Sequence, residues 1–346
     1  MKTPMKAALL ASITALILPL AACGGSSETT ATSSSTNSSV AASSTAAMEK
    51  SANFPLTTYN CGGNITFDAP PQRVTLMNAA SVTTLAELGV LDRVTTKAGA
   101  FPAEYFSADI NKQLDAIPTL SDKLDPSGHL QISKEEVVAT KPDLVIGFGT
   151  GVNRETMGDI AGIQIVHEPA FCKDLKGDAT WDNVWEQILF YGKVFDKNKE
   201  AEAYVERLKK DVEKISEAGI GKGKTVAVLY PETGGGVFYA YGTGSMSNPV
   251  VTAAGLKNVY GDETTRVFET SAEELISRNP DIIIALHSKP EPEAAKKAIL
   301  QIPGIERVTA VKNDAVVPML LNYAEPPTPL SIQGVQKLDA YLRKNS

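Results

Sequence analysis

Histidine is scarce in this 346-residue chain: only His129, His167 and His287 occur, and none stands at zinc-ligand spacing from another histidine or a cysteine. A centre that grips a bare metal ion with several imidazoles is therefore not expected. Positive charge is not in excess either. The formal net charge is −7 and the acidic residues are dispersed, which argues against nucleic acid as a partner. Nucleotide and hydrolase signatures are incomplete. The stretch 218–225 has the look of a phosphate loop but lacks its first glycine and precedes a strand instead of following one. Gly147, Gly149 and Gly151 follow a strand, yet the last position of a dinucleotide fingerprint falls on Val152. Ser245 lacks the second flanking glycine of a nucleophile elbow, and no carboxylate spacing singles out an acid/base couple. No enzyme and no cofactor are expected.

Long apolar runs are limited to one, at the N-terminus. Lys2 and Lys6 precede an apolar stretch over 7–20 that ends in Leu20-Ala21-Ala22-Cys23. The stretch is too short to span a bilayer, and its small residues before a cysteine match a bacterial lipobox. The reading is a signal peptide over 1–22 and a lipid (palmitate) on Cys23, anchoring a secreted chain to the outer face of the cell membrane. Residues 23–52 follow as a tether rich in Ser, Thr and Ala, too polar to offset chain entropy by burial. About 290 residues remain, which suits two domains. Cys61 and Cys172 are then an even pair in an oxidising compartment, and a disulfide is expected, closing a loop of roughly a hundred residues.

Strands are expected over 73–77, 92–96, 143–148, 163–167, 225–230, 237–241, 281–286 and 315–319, from Val, Ile and Leu runs bounded by Gly, Pro or Asn. Helical patterns fall between them, so the fold class is α/β with mostly parallel sheets covered on both faces. The middle differs: 182–195 and 199–218 read as helices with no strand between. An internal repeat divides the chain. Ser133-x-Glu135-Glu136 leads to Pro142-Asp143 and a buried strand, and Ser271-x-Glu273-Glu274 leads to Pro280-Asp281 and another. Each opens as a capping box, with Glu136 and Glu274 expected to reach back to the cap. Two Rossmann-like αβ lobes follow, over 53–179 and 219–346, joined through the helices of 180–218, with a ligand cleft between lobes. Glu135 and Glu273 have no capping job and sit in first helical turns, one per lobe. They are expected to be exposed docking points for a basic partner. In open α/β sheets ligands bind beyond the carboxyl ends of strands. Asn78, Phe101, Tyr105, Lys123, Tyr230, Tyr241, Arg266, His287 and Tyr323 lie at or after such ends and are the candidate ligand-binding residues, with no direct metal ligand among them.

Several segments together resemble the substrate-binding lipoproteins of iron-siderophore ABC transporters. These are Leu20 to Cys23, Cys61-Gly62, Phe67 to Val74, Ala86 to Gly89, Ile117 to Lys123, the two repeat copies, and Tyr241 to Ser245 with Ala254-Gly255. The similarity runs from about Asn60 to the C-terminus. It implies two αβ lobes joined by one long rigid helix, and a monomer that binds a ferric siderophore, heme or cobalamin between the lobes. It also implies that Glu135 and Glu273 meet arginines of a permease, and it supports the Cys61–Cys172 bridge. Two departures put the ligand in question: relatives carry Trp near Arg266, and an Arg near 327–331. The resemblance makes the cargo an iron(III) chelate, a ferric siderophore first. Heme is the alternative, through Tyr230 as iron ligand with His129 nearby, although Glu232 stands where heme-binding relatives have Arg. Neither an enzyme nor a tethered adhesion module has a positive signal.

Overall fold

The computed structural model describes residues 52–345 apart from 126–128, 159, 173–174, 233–236 and 289–290. The expected signal segment, Cys23 and all but the last residue of the tether lie outside the described residues. The described chain opens with a hairpin that the sequence reading passed over. Strands β1 (Leu56–Asn60) and β2 (Gly63–Phe67) pair antiparallel around Cys61 and Gly62. Both turn residues have positive φ, 48° and 85°, the backbone a two-residue hairpin turn requires.

The N-terminal lobe follows in αβ order. It comprises β3 (Val74–Leu76), α1 (Val82–Glu87), β4 (Val94–Lys97), α2 (Ala108–Ala116), α3 (Lys134–Ala139), β5 (Leu144–Ile146), α4 (Arg154–Met157) and β6 (Gln164–Val166). Its sheet runs β4-β3-β5-β6 with every neighbour parallel. β3 and β5 are buried on both faces, which explains their unbroken apolar runs.

Two helices occupy the middle. α5 (Trp181–Val194) sends Val184, Ile188, Tyr191 and Val194 into the N-terminal core. α6 (Asn198–Ala218) is the long connecting helix, 21 residues, and buries Ala201, Tyr204, Val205, Leu208 and Val212 on one stripe. Gly219, with φ of 50°, ends it in a left-handed cap.

The C-terminal lobe holds β7 (Thr225–Pro231), β8 (Phe238–Tyr241), α7 (Ser247–Ala253), β9 (Lys257–Asn258), β10 (Val267–Glu269), α8 (Ala272–Arg278), β11 (Ile282–His287), α9 (Pro292–Leu300), α10 (Thr309–Lys312), β12 (Val316–Leu320) and α11 (Pro329–Lys344). Its sheet order is β10-β8-β7-β11-β12, with β9 beside β7. β7 pairs parallel with β9 and β11, and β11 with β12; β8 and β10 are antiparallel. The eight strands expected from sequence are all present, trimmed or extended by a few residues.

The repeat has a visible structural job. The Asp143 carboxylate accepts from the Gln72 and Arg73 N–H groups, at 2.7 and 3.0 Å, and so holds the start of β3. Asp281 does the same for β7, accepting from the Thr225 N–H and Oγ1, each at 2.8 Å. Ser133 and Ser271 cap α3 and α8 by accepting from the Glu136 and Glu274 N–H groups, at 3.3 and 3.0 Å. The reciprocal half differs between copies. Glu136 accepts from the Ser133 N–H at 3.0 Å, which holds its carboxyl below the usual range. Glu274 does not reach back, contrary to expectation. Its carboxylate is drawn to Arg278 Nε at 2.6 Å, one turn on, because a charged partner outcompetes a backbone amide.

Candidate functional site

The two lobes meet at the carboxyl ends of their parallel strands and enclose a cleft of about 610 Å3. From the N-terminal lobe, β3 delivers Met77 and Asn78, the loop after β4 delivers Pro102 and Tyr105, and the segment before α3 delivers His129 and Leu130. Asn78 is fixed by accepting the Ala80 N–H on its Oδ1, at 3.0 Å. After β5 the backbone turns through Gly147, with φ of 101°. A Cβ there would lie 2.6 Å from Asn78 Nδ2, so glycine is required both by the turn and by that contact. The turn presents Phe148, whose ring packs on Phe171 at 5.7 Å between centroids.

Across the cleft β7 supplies Tyr230 and Glu232 follows it, β8 supplies Tyr239 and Tyr241, and Ser288, Asn322 and Glu325 follow β11 and β12. Tyr230 hydroxyl lies 3.2 Å from Ser288 Oγ. Tyr239 donates to Glu232 Oε1 at 3.5 Å. Burial drives the Tyr241 phenol well above its ordinary pKa, and the Glu325 charge adds to it. Arg266 Nη1 donates to Glu325 Oε1 at 2.7 Å, and its guanidinium also lies over the Phe171 ring of the other lobe, 5.5 Å from the centroid. Glu325, only 1 % exposed, accepts two more bonds on Oε2, from Ser245 Oγ and the Met246 N–H, each at 2.8 Å. The carboxylate is thus fully hydrogen-bonded, as a buried charge must be.

Of the nine candidate residues, the structure brings five to the cleft: Asn78, Tyr105, Tyr230, Tyr241 and Arg266. The other four stand elsewhere. Lys123 is exposed and His287 half-buried, and neither lines the cleft. Phe101 packs against both apolar cores at the junction of the lobes. Tyr323 is buried at the same junction, where its hydroxyl donates to the Glu104 carbonyl of the opposite lobe. Burial there raises its phenol to about 12. Tyr105 straddles both roles. It shows a face to the cleft, but its hydroxyl accepts from the Asn322 N–H at 2.9 Å, and its ring meets Tyr323 edge-on at 4.9 Å. Strand-end position alone does not separate residues that face the cleft from residues that join the lobes.

The sequence reading missed Phe148, Phe171, Tyr239, Ser288, Asn322 and Glu325 as cleft residues. Phe148 was signalled by the glycines around it, which mark a turn at a strand end. Glu325 had no local signal, because its partner Arg266 is 59 residues away. His129, named for the heme alternative, lines the cleft with Nδ1 3.4 Å from Asp125 Oδ2. Cys61 and Cys172 form a disulfide that ties the hairpin turn to the segment after β6. Beside it, burial and the charge of Arg154 lower His167 to about 4, and burial raises Glu168 to about 7. Glu135 and Glu273 are exposed in the first turns of α3 and α8. Among the described residues no group of three or more His, Cys, Asp or Glu stands where it could hold a metal ion.

Two αβ lobes, a long connecting helix and a small-molecule cleft between them define a solute-binding protein. More particularly, the chain belongs to the periplasmic binding protein family, whose pattern matches residues 74–319. Members are extracytoplasmic transport components, not enzymes. A solved structure described as an ABC-type Fe3+-hydroxamate transport system from Saccharomonospora viridis is 45% identical, with a TM-score of 0.79 over 83% of this chain and 98% of its own. A cobalamin-binding protein of Halobacterium salinarum is 25% identical over 301 residues, 85% of this chain and 75% of that protein. An ABC transporter substrate-binding lipoprotein of Bacillus subtilis, YvrC, is 22% identical over 298 residues, 84% of this chain and 87% of that protein.

Proposed function

We propose that this chain is the substrate-binding component of an ABC importer, held at the outer face of the membrane by a lipid on Cys23, and that its cargo is a ferric siderophore. The observation that carries the reading is the cleft itself. Its volume of about 610 Å3 suits a small molecule, and its walls join flat aromatics to a few convergent hydrogen-bonding groups from both lobes. The 45% identity to a protein described by Fe3+-hydroxamate transport favours an iron chelate over other cargo. Delivery to the permease runs through Glu135 and Glu273, exposed carboxylates on separate lobes that serve no cap. The protein acts as a monomer and needs no cofactor of its own.

Heme is the second reading, because Tyr230 and His129 line the same cleft from opposite lobes. Against it stand Glu232 in that cleft and the engagement of Tyr230 with Ser288. Native mass spectrometry of the purified chain with ferric chelates, hemin and cobalamin tests the choice. Retention of a ferric chelate without a Soret band is expected. A hemin complex whose Soret band disappears in Tyr230→Phe would replace siderophore by heme.

A further inference from the structure

Among the described residues the charged side chains that line the cleft are few: Arg266, Glu325 and Glu232, with His129 beside Asp125. Arg266 is spoken for. Its guanidinium donates to Glu325, a buried carboxylate anchored by two other donors that cannot follow it away. The one strong cation among the described cleft residues is therefore neutralised before any ligand arrives. Glu232 has no such counterpart. Among the described residues it forms no ion pair, and the one hydrogen bond shown for its side chain is from the neutral Tyr239 hydroxyl. Its field is felt there: the Glu232 charge is the first cause that raises the Tyr239 phenol. Lys123, the other cationic candidate for ligand binding, does not line the cleft.

We infer that the cleft discriminates by cargo charge, that Glu232 is the residue that does so, and that the cargo is a neutral or cationic ferric chelate. The inference rests on the siderophore reading and narrows it. Three hydroxamates carry one negative charge each and balance iron(III) to a neutral complex. Three catecholates carry two each and leave a trianion. A trianion would enter a cleft whose arginine is already paired and whose remaining carboxylate repels it. A neutral hydroxamate chelate meets no such cost, and a pendant ammonium on it would gain from Glu232. At roughly 7 Å through an effective dielectric of about 60, one carboxylate changes affinity about fourfold per unit of ligand charge.

The test titrates the full mature chain with three ferric chelates, read by tyrosine and tryptophan fluorescence and by calorimetry. They are cationic ferric desferrioxamine B, a neutral ferric trihydroxamate and a trianionic ferric tris-catecholate. The wild type is expected to bind the first two at least roughly sixtyfold more tightly than the third. Glu232→Gln, which keeps an acceptor for Tyr239, should narrow the gap between the neutral chelate and the trianion by roughly sixtyfold, about fourfold for each of the three charges, and Glu232→Lys should narrow it further; thermal melting confirms that both variants fold. A gap that neither variant changes, or a wild type that prefers the trianion, overturns the inference while leaving the siderophore reading standing. A wild type that binds none of the three but retains hemin or cobalamin removes the reading itself, and this inference with it.

Discussion

Replacing Glu325 should damage stability and cleft chemistry together, by amounts the structure allows to be worked out. Its carboxylate accepts three hydrogen bonds: Arg266 on Oε1, and Ser245 Oγ and the Met246 N–H on Oε2. Glu325→Gln can keep the Oε2 pair on its carbonyl, but its NH2 then faces the Arg266 guanidinium, donor against donor. Arg266 is 34 % exposed and can turn toward water, so the loss is one charge-assisted bond, about 2 kcal/mol. Glu325→Ala removes both acceptor oxygens and with them all three bonds. Ser245 keeps its contact with Ser247 Oγ at 2.9 Å, whereas the Met246 N–H is left dry at the start of α7, and the expected cost rises to about 3–5 kcal/mol. Urea unfolding at constant m measures both. In Glu325→Gln the unpaired Arg266 should also raise affinity for a trianionic ferric catecholate. An alanine variant that loses less than about 1 kcal/mol would refute the view that this buried carboxylate holds β12, α7 and Arg266 together.

Three further outcomes are expected. The Cys61–Cys172 bridge spans 111 residues, for which loop entropy assigns about 5 kcal/mol as an upper figure; the double serine variant should unfold at lower urea, and an unchanged midpoint would contradict this. Glu168 is raised to about 7 by burial, so the fold holds its proton more tightly than the unfolded chain does. That contribution, of order 3 kcal/mol, is complete below the unfolded carboxyl value and is lost as pH rises toward and through 7. His167, lowered to about 4, acts in the opposite sense, with its contribution complete above the unfolded imidazole value and lost as pH falls toward 4. Above pH 6.5 Glu168 therefore acts alone, and Glu168→Gln should flatten the decline in melting temperature between pH 6.5 and 8. Finally, Glu135→Ala with Glu273→Ala should leave ferric-chelate affinity unchanged while lowering uptake in cells at least several-fold; full uptake would remove both glutamates from docking.

Much of the architecture was legible because its causes are local. Buried parallel strands read as Val, Ile and Leu runs, and the Ser-x-x-Glu copies announced two similar halves. The β1–β2 hairpin escaped because Thr57, Thr58 and Tyr59 make a polar strand, although Gly62 and Gly63 were a signal of its turn. Within the site, Asn78, Tyr230 and Arg266 were legible from strand-end positions. Glu325 was not, because its role arises from a pairing across the fold. The same distance effect hid the place of Tyr323 at the lobe junction: a strand-end tyrosine looks alike in sequence whether it faces a ligand or the other lobe.

The lobe junction has one more implication. Tyr105 reaches across to Asn322, Tyr323 reaches back to Glu104, and Phe101 packs into both apolar cores. Fastened along that seam, and carried on α6, the two walls cannot swing widely without tearing buried contacts. Under the proposed docking, the separation between Glu135 and Glu273 would then stay the same, to within small adjustments, whether the cleft is full or empty, and a permease would sense loading by touch at the cargo's surface and not by the gauge between those two carboxylates.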